Sequence, residues 1–244
     1  MRWYNLIMNN LKDIIDNSKY AVFFGGAGVS TASNIPDFRG KNGIYNTENE
    51  WGLPPEIIIS HTFFKRRTKD FYDYYKKYMV YPSAVPNAVH IALARLEKEG
   101  KIKAVLTQNI DGLHQMAGSK TVYELHGNVH RNYCEKCGKF YDLDFILRSK
   151  GVPTCDCGGV VKPDVVLYEE PLDNKVLNGA CEEVDRADTL IVGGSSLTVY
   201  PVAGLVDIFS GKNLCIINST PTPFDHRATY LSHKNLVTEF ENLY

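Results

Sequence analysis

Residues 23–40 read FFGGAGVSTASNIPDFRG, an apolar run that ends in glycines and gives way to hydroxyls, a proline, an acid and an arginine. Gly25, Gly26, Ala27 and Gly28 would let backbone N–H groups approach a pyrophosphate, and a helix beginning near Val29 or Ser30 would direct its positive N-terminus at that charge. The third glycine of the dinucleotide fingerprint is missing, because Thr31 stands in its place. Taken alone, the stretch is consistent with a phosphate cradle and equally with a tight turn.

Short apolar runs recur along the chain and predict six buried strands: AVFF (21–24), IKAVL (102–106), VYEL (122–125), DVVL (164–167), TLIV (189–192) and LCII (214–217). Helical patterns lie between them. The clearest is NAVHIALARLEKEG, in which Val89, Leu93 and Leu96 form one apolar stripe and Gly100 marks the end. Strands that alternate with helices predict an α/β fold with a Rossmann-like, doubly wound parallel sheet.

Two segments interrupt this alternation. Residues 41–81 are aromatic and helical in pattern, and residues 131–160 contain closely spaced cysteines. We therefore expect residues 1–40, 82–130 and 161–244 to form the sheet domain. The first interruption is then a helical insertion and the second a metal-binding insertion, which together form a smaller module.

Composition narrows the classes of function. The formal charge of the 244-residue chain is −1 and no dense basic face is visible, which argues against a dedicated nucleic-acid-binding protein. No run approaches the ~20 apolar residues of a membrane span. The first residues, MRWYNLIMNNLKDIIDNSK, are amphipathic and lack the pattern of a signal peptide. We expect a cytoplasmic protein with no membrane partner, monomeric because no large exposed apolar face is marked.

Six cysteines are present, and four of them form two tight pairs. NYCEKCG contains Cys134 and Cys137, and PTCDCGG contains Cys155 and Cys157. Four thiolates on two short loops suit a tetrahedral, structural zinc site, although two reducible pairs or plain buried thiols would share this spacing. The remaining cysteines, at 181 and 215, are expected to be buried thiols.

Polar groups follow five of the six predicted strands: GGAGVS, TQNIDGLH, HG, GGSS and NST. Ligands of open α/β sheets bind at the carboxyl ends of the strands, so this edge is the candidate site. Asp111 could instead simply cap the next helix. His126, the histidine in ELHG, is either a hydrogen-bonded scaffold residue or a general base.

Considered in order, these motifs resemble one family over nearly the whole chain. They are similar to those of the sirtuins, NAD-dependent protein deacylases, and most of all to those of bacterial members. The motifs that carry the resemblance are GAGVST, IPDFRG, TQNIDGLH, ELHG, the cysteine pairs, KPDVVLYEE, GGSSLTVYP and IINST. The resemblance implies that the sheet domain binds NAD and that the partner is a protein or peptide carrying acetyl-lysine. The acyl group would pass from lysine to ADP-ribose, releasing nicotinamide and O-acetyl-ADP-ribose.

The same resemblance implies roles for individual residues. His126 is the general base, and Asn109 is the second catalytic residue. The NAD site is implied to comprise Gly26, Ala27, Gly28, Ser30, Thr31, Asp37, Phe38, Arg39, Gln108, Asn109, Ile110, Asp111, His126, Gly194, Ser195, Ser196 and Asn218. The substrate peptide would add as a strand between two segments, contacting Val166, Tyr168, Leu197 and Val199. Zinc on Cys134, Cys137, Cys155 and Cys157 would take no part in the chemistry.

Departures from the family pattern give further expectations. Glu169 replaces a usual glycine beside the peptide groove and should favour basic flanking residues through charge complementarity. Tyr72 and Tyr75 stand where members that remove acidic acyl groups carry tyrosine and arginine, so neutral acyl groups are expected, acetyl first. Two alternative functions remain. One is ADP-ribose transfer or NAD hydrolysis, and the other is a non-catalytic, NAD-sensing zinc module.

Overall fold

The computed structural model describes residues 10–37, 50–241 and 243. The strands in this part of the chain are β1 (Ala21–Gly25), β2 (Ile102–Thr107), β3 (Val122–Glu124), β4 (Gly127–Cys134), β5 (Phe140–Tyr141), β6 (Val161–Val165), β7 (Thr189–Gly193), β8 (Asn213–Ile217) and β9 (Tyr230–Ser232). The helices are α1 (Leu11–Asn17), α2 (Pro55–Ile58), α3 (His61–Arg66), α4 (Thr68–Tyr78), α5 (Ala88–Lys98), α6 (Leu113–Ala117), α7 (Leu143–Arg148), α8 (Asn174–Arg186), α9 (Leu205–Ile208) and α10 (Leu236–Glu241). None of these helices is long and apolar enough to cross a membrane.

The main sheet has six strands in the order β3-β2-β1-β7-β8-β9, and all neighbouring pairs are parallel. The predicted doubly wound parallel sheet is therefore confirmed. The chain leaves β1 in one direction along the sheet and returns to its other side at β7. Ligands of such sheets bind at this reversal point, beyond the carboxyl ends of the two strands.

Alternating side chains of β1 supply the two layers of core around the sheet. Phe23 packs in a cluster with α1, α5 and α10, whereas Phe24 packs in a second cluster with α8 and α9. All five residues of β1 are buried. Helix α5 has the predicted boundaries because Asn87 caps its first turn and Gly100, with φ +73°, follows its end.

A second, three-stranded antiparallel sheet has the order β5-β4-β6, and it shares a core with α2, α3, α4 and α7. The predicted strand at 164–167 is wrong in position and partner, because β6 ends at Val165 and pairs with β4. Its burial alternates along the strand, as expected when only one face is covered. The sixth strand of the main sheet is instead β9, and the second sheet extends beyond the predicted 131–160 insertion at both ends.

The aromatic stretch of α4 belongs to this second core. Tyr72 and Tyr75 are both 0% exposed and pack against Phe71 and Phe64. The Tyr72 hydroxyl donates a hydrogen bond to the carbonyl of Val161 in β6. These tyrosines therefore fasten the helices to the second sheet.

The helix expected after β1 is replaced by two 3₁₀ turns, Ala27–Val29 and Thr31–Ser33. The second turn ends at Asn34, which has a left-handed φ of 62° and precedes Ile35 and Pro36. Proline disfavours helical backbone at the residue before it, so the chain cannot continue as an α-helix. Any anion at this loop would meet separate backbone N–H groups rather than the end of a long helix.

Candidate active site

The glycine turns after β1 and β7 pack directly against each other. The N–H of Gly26 donates to the Gly193 carbonyl at 3.1 Å, and the N–H of Gly28 donates to the Gly194 carbonyl at 2.8 Å. A Cβ on Gly28 would lie 2.7 Å from the Gly194 Cα, so this approach requires glycine. Two N–H groups assigned to the cradle from the sequence are thus already paired. Among the described residues, the N–H groups of Ala27 and Thr31 have no hydrogen-bond partner.

Ser30 joins the first glycine turn to the end of β2. Its buried hydroxyl donates to Asp111 Oδ2 at 2.6 Å and accepts from Asn109 Nδ2 at 2.9 Å. The second carboxylate oxygen of Asp111 accepts from the Leu113 N–H at 2.9 Å, at the first residue of α6, although the N-cap position itself is Gly112. Burial raises the pKa of Asp111, while its hydrogen bonds from Ser30 and Leu113 oppose that shift. Asp111 therefore joins the first glycine turn, through Ser30, to the start of α6.

Gln108 connects the ends of β1, β2 and β7. Its backbone N–H donates to the Gly25 carbonyl at 3.0 Å, and its side-chain Nε2 donates to Ser195 Oγ at 2.9 Å. Ser195 is 5% exposed, and its hydroxyl also accepts from the Leu197 N–H at 3.2 Å. Leu197 has a φ of 54°, a left-handed conformation that is uncommon for leucine and is held here by these contacts. Three strand ends are thus cross-linked by hydrogen bonds.

Gln108 also orients the His126 imidazole. Its Nδ1 lies 3.0 Å from the Gln108 carbonyl oxygen, which can only accept, so Nδ1 carries the proton and Nε2 is left as a proton acceptor. Burial lowers the pKa of His126, and the bond to Gln108 partly opposes this. The imidazole is therefore neutral near pH 7 and can remove a proton from a substrate.

One predicted peptide-binding segment, at Val166, contacts the backbone of His126. The Val166 N–H donates to the His126 carbonyl at 3.0 Å. Tyr168 is 37% exposed, but its N–H and C=O already pair with Ile59 and His61. A peptide added to this segment must therefore use its other backbone groups.

Glu169 follows with a φ of 74°, where glycine would be unstrained. Its Oε2 accepts from the Thr62 N–H at 2.8 Å in the first turn of α3, and its side chain lines a surface cavity with Tyr168 and Arg66. The expected preference for basic flanking residues stays a prediction.

The remaining predicted residues lie around this edge. Ser196 shares a hydrogen bond with Thr198, Val199 is half-buried, and Asn218 is 8% exposed at the end of β8. The Ile110 carbonyl accepts from the Val129 N–H, which ties it to the second sheet. Asp37 is half-buried after the 3₁₀ turns. Phe38 and Arg39 lie outside the described residues.

Two supporting residues were not recognised in the sequence. Asn87 Nδ2 donates to the Val29 carbonyl at 2.8 Å and to Ser33 Oγ at 2.9 Å, which anchors the 3₁₀ turns to α5. His233 Nδ1 lies 2.8 Å from the Asn218 carbonyl oxygen. The sequence does indicate Asn87 as a helix cap. No local pattern indicates that Asn87 also anchors the 3₁₀ turns, or that His233 contacts the Asn218 carbonyl.

The four cysteine Sγ atoms lie within 4.8 Å of one another. Sulfur atoms at the corners of a zinc tetrahedron with 2.3 Å bonds would be about 3.8 Å apart, and two pairs here are separated by 3.4 and 3.6 Å. The N–H groups of Lys136 and Cys157 point at Cys134 and Cys155, and the Cys157 N–H, followed by the Tyr141 hydroxyl, lowers the pKa of Cys155 to about 6. The donor set fits a closed tetrahedral zinc site, although only one residue separates Cys155 from Cys157 and two separate Cys134 from Cys137.

Known proteins resemble this chain over most of its length. The sequence profile of the Sir2 family matches residues 26–201. An NAD-dependent protein deacetylase of Clostridium acetobutylicum is 56% identical over 223 residues, 91% of each chain. A Sir2 structure with a deacetylated p53 peptide and 3′-O-acetyl ADP ribose superposes with a TM-score of 0.88 at 42% identity, covering 95% of each chain. A second, with a p53 peptide and NAD+, has a TM-score of 0.84 at 41% identity and covers 95% of this chain and 94% of its own. The chain therefore belongs to the Sir2 family.

Proposed function

We propose that this protein is an NAD-dependent protein-lysine deacetylase. One observation carries the proposal: an oriented, neutral His126 lies at the edge where the glycine turns, Asn109 and Asp111 meet, and its backbone contacts the segment at Val166. A pure binding site has no need of a histidine whose accepting nitrogen is prepared in this way. Relatives at 56–59% identity are NAD-dependent protein deacetylases, and Sir2 neighbours are bound to an acetylated peptide or to NAD+.

NAD is a substrate of this reaction, because its nicotinamide leaves and its ADP-ribose part receives the acyl group. The N–H groups of Ala27 and Thr31, which have no hydrogen-bond partner within residues 10–37 and 50–241, suit the diphosphate. Asn109 and Asp111 offer amide and carboxyl groups to the nicotinamide carboxamide and the ribose. Ser196 and Asn218 line the strand ends on the other side of the reversal point, where the adenosine half would lie.

The protein contributes to the reaction by positioning the two substrates and by removing a proton with His126. The amide oxygen of acetyl-lysine replaces nicotinamide at the ribose C1′, so one C–N bond breaks and one C–O bond forms. This step needs no protein base. His126 Nε2 then removes a proton from a ribose hydroxyl, and the resulting oxygen attacks the acyl carbon; water completes the release of lysine.

The peptide is proposed to lie as an extended strand between two segments, one containing Val166 and Tyr168 and the other Leu197 and Val199. This placement directs the acyl-lysine side chain towards His126. Zinc on the cysteine cluster is proposed to hold the second sheet, which forms one wall of the cleft. A closed set of four thiolates leaves no open position for catalysis.

His126→Ala tests the assignment. Removing a general base is expected to lower deacetylation by about 10²–10⁴-fold, while NAD affinity, measured by titration calorimetry, stays within a few fold. A protein that merely senses NAD would have no deacetylation to lose. Unchanged turnover in His126→Ala would refute the proposed role of this residue.

A further inference from the structure

One arginine links the strand that leads into His126 with the segment that leads into Val166. Arg131 in β4 donates from one guanidinium nitrogen to Glu124 Oε2 at 2.6 Å, and from Nε to Asp164 Oδ2 at 2.7 Å. Glu124 ends β3 two residues before His126, and Asp164 in β6 lies two residues before Val166. The arginine thus spans the two chain segments that carry the base and the peptide site.

The Glu124 carboxylate is well placed to transmit this contact. Its side chain is 10% exposed, and its second oxygen accepts from Gln115 Nε2 at 2.7 Å and from Asn128 Nδ2. A nearly buried carboxylate whose oxygens are all engaged has one favourable orientation. The planar guanidinium suits two carboxylates at once, which a lysine ammonium cannot match in geometry.

The backbone ladder between β4 and β6 is regular beside His126, where the Val166 N–H donates to the His126 carbonyl, and becomes irregular further along. Strands β4 and β6 pair Gly127 with Val165 and Asn128 with Asp164, but the register then shifts before Asn132 pairs with Pro163. Arg131 lies inside this irregularity, where inter-strand hydrogen bonding is interrupted. On the other side, a Cβ at Gly127 would lie 1.9 Å from the Asp164 carbonyl oxygen, so the two strands touch immediately after His126. The contact between Arg131 and Asp164 therefore joins the two strands where the ladder is interrupted, just beyond the regular pairs that flank His126.

We propose that Arg131, through Glu124 and Asp164, is a positioning residue that reinforces the placement of the His126 imidazole relative to the acyl-lysine segment at Val166. The inference rests on the proposed function. It predicts that loosening this link harms the step that needs His126 and spares the earlier step that does not. Release of nicotinamide and its return from solution require no base, whereas acyl transfer requires the imidazole.

The test compares two rates in Arg131→Met, namely exchange of labelled nicotinamide into NAD and deacetylation of the same acetyl-lysine peptide. Misplacement of a catalytic group by about 1 Å can cost up to ~100-fold, and for a partial loosening we expect deacetylation to fall about 10-fold with exchange within about 2-fold of the parent. Arg148→Met is the matched control, because Arg148 forms an exposed ion pair with Asp144 on α7. Both of its rates should be unchanged.

Arg131→Lys and Asp164→Asn keep the test decisive if Arg131→Met does not fold. Each keeps a side chain of similar size but removes at least one of the two carboxylate contacts of residue 131. Each should therefore lower the ratio of deacetylation to exchange. Equal losses of both rates, or no loss in any variant, would overturn the inference and leave the proposed function standing. If the parent protein performed neither reaction, the proposed function would fail and the inference with it.

Discussion

Ser30 is the buried centre of the pocket, at 1% exposure, and its removal should destabilise both of its partners. Ser30→Ala deletes the donor to Asp111 at 2.6 Å and the acceptor for Asn109 at 2.9 Å. A hydrogen bond to a charged group contributes about 1.5–3 kcal/mol and a neutral one about 1 kcal/mol. Because Asp111 is only half-buried, we expect a loss near the lower end, about 2–3 kcal/mol in the free energy of unfolding.

The charge on Asp111 gives this loss a definite pH dependence. Burial raises the pKa of Asp111 above its ordinary 3.8, and the Ser30 hydroxyl opposes the rise, so Ser30→Ala raises this pKa further. Stability from a raised pKa is complete below the unfolded value and is lost as pH rises through the folded value. The deficit of the variant should therefore grow as pH rises above 3.8.

Urea unfolding at about pH 5 and about pH 8 measures this difference. The variant should lose more stability at the higher pH. In an Asp111→Asn background the cost of Ser30→Ala should be the same at both values, and the double-mutant cycle should give a coupling of about 1–2 kcal/mol. An equal cost at both pH values in the parent background, or no coupling, would refute the reasoning.

Three further predictions concern the base, the metal and the acyl group. Deacetylation kcat/KM should decline on acidification with a midpoint below 6.5, because burial lowers the pKa of His126 in the free protein; a midpoint above that value in a pH–rate profile would contradict this assignment. Cys155→Ser should lose bound zinc in elemental analysis and unfold at lower temperature, whereas zinc retained at the parent level would exclude the four-thiolate site. An acetyl-lysine peptide should have a higher kcat/KM than its succinyl twin, since Tyr75 is buried and supplies no cation; the reverse order would disprove this reading.

The sequence pattern predicted those elements whose signal is local. The β1 run AVFF is buried on both faces, and α5 has a capping residue at its start and a glycine after its end. Both elements can therefore be predicted without knowing which other segments they pack against. The strand β9 was missed because it is a three-residue edge strand whose Leu231 is 43% exposed. The placement of β6 was wrong because an apolar run does not indicate which sheet it joins.

The same limit applies to the site. Polar groups at strand ends could be expected to converge, and Ser30, Asn109 and Asp111 do so. Which backbone donors remain free could not be predicted, because the N–H groups of Gly26 and Gly28 are used by a turn far away in the sequence. The bridging role of Arg131 likewise depends on a strand irregularity that appears only in the folded chain.

The central claim is that this edge transfers an acyl group from lysine to the ribose of NAD. The most direct measurement is mass spectrometry of the purified protein with NAD and an acetyl-lysine peptide, following all products together. We predict deacetylated peptide, nicotinamide and O-acetyl-ADP-ribose in equal amounts. Nicotinamide released while the peptide stays acetylated would contradict the claim and indicate NAD hydrolysis or ADP-ribose transfer instead.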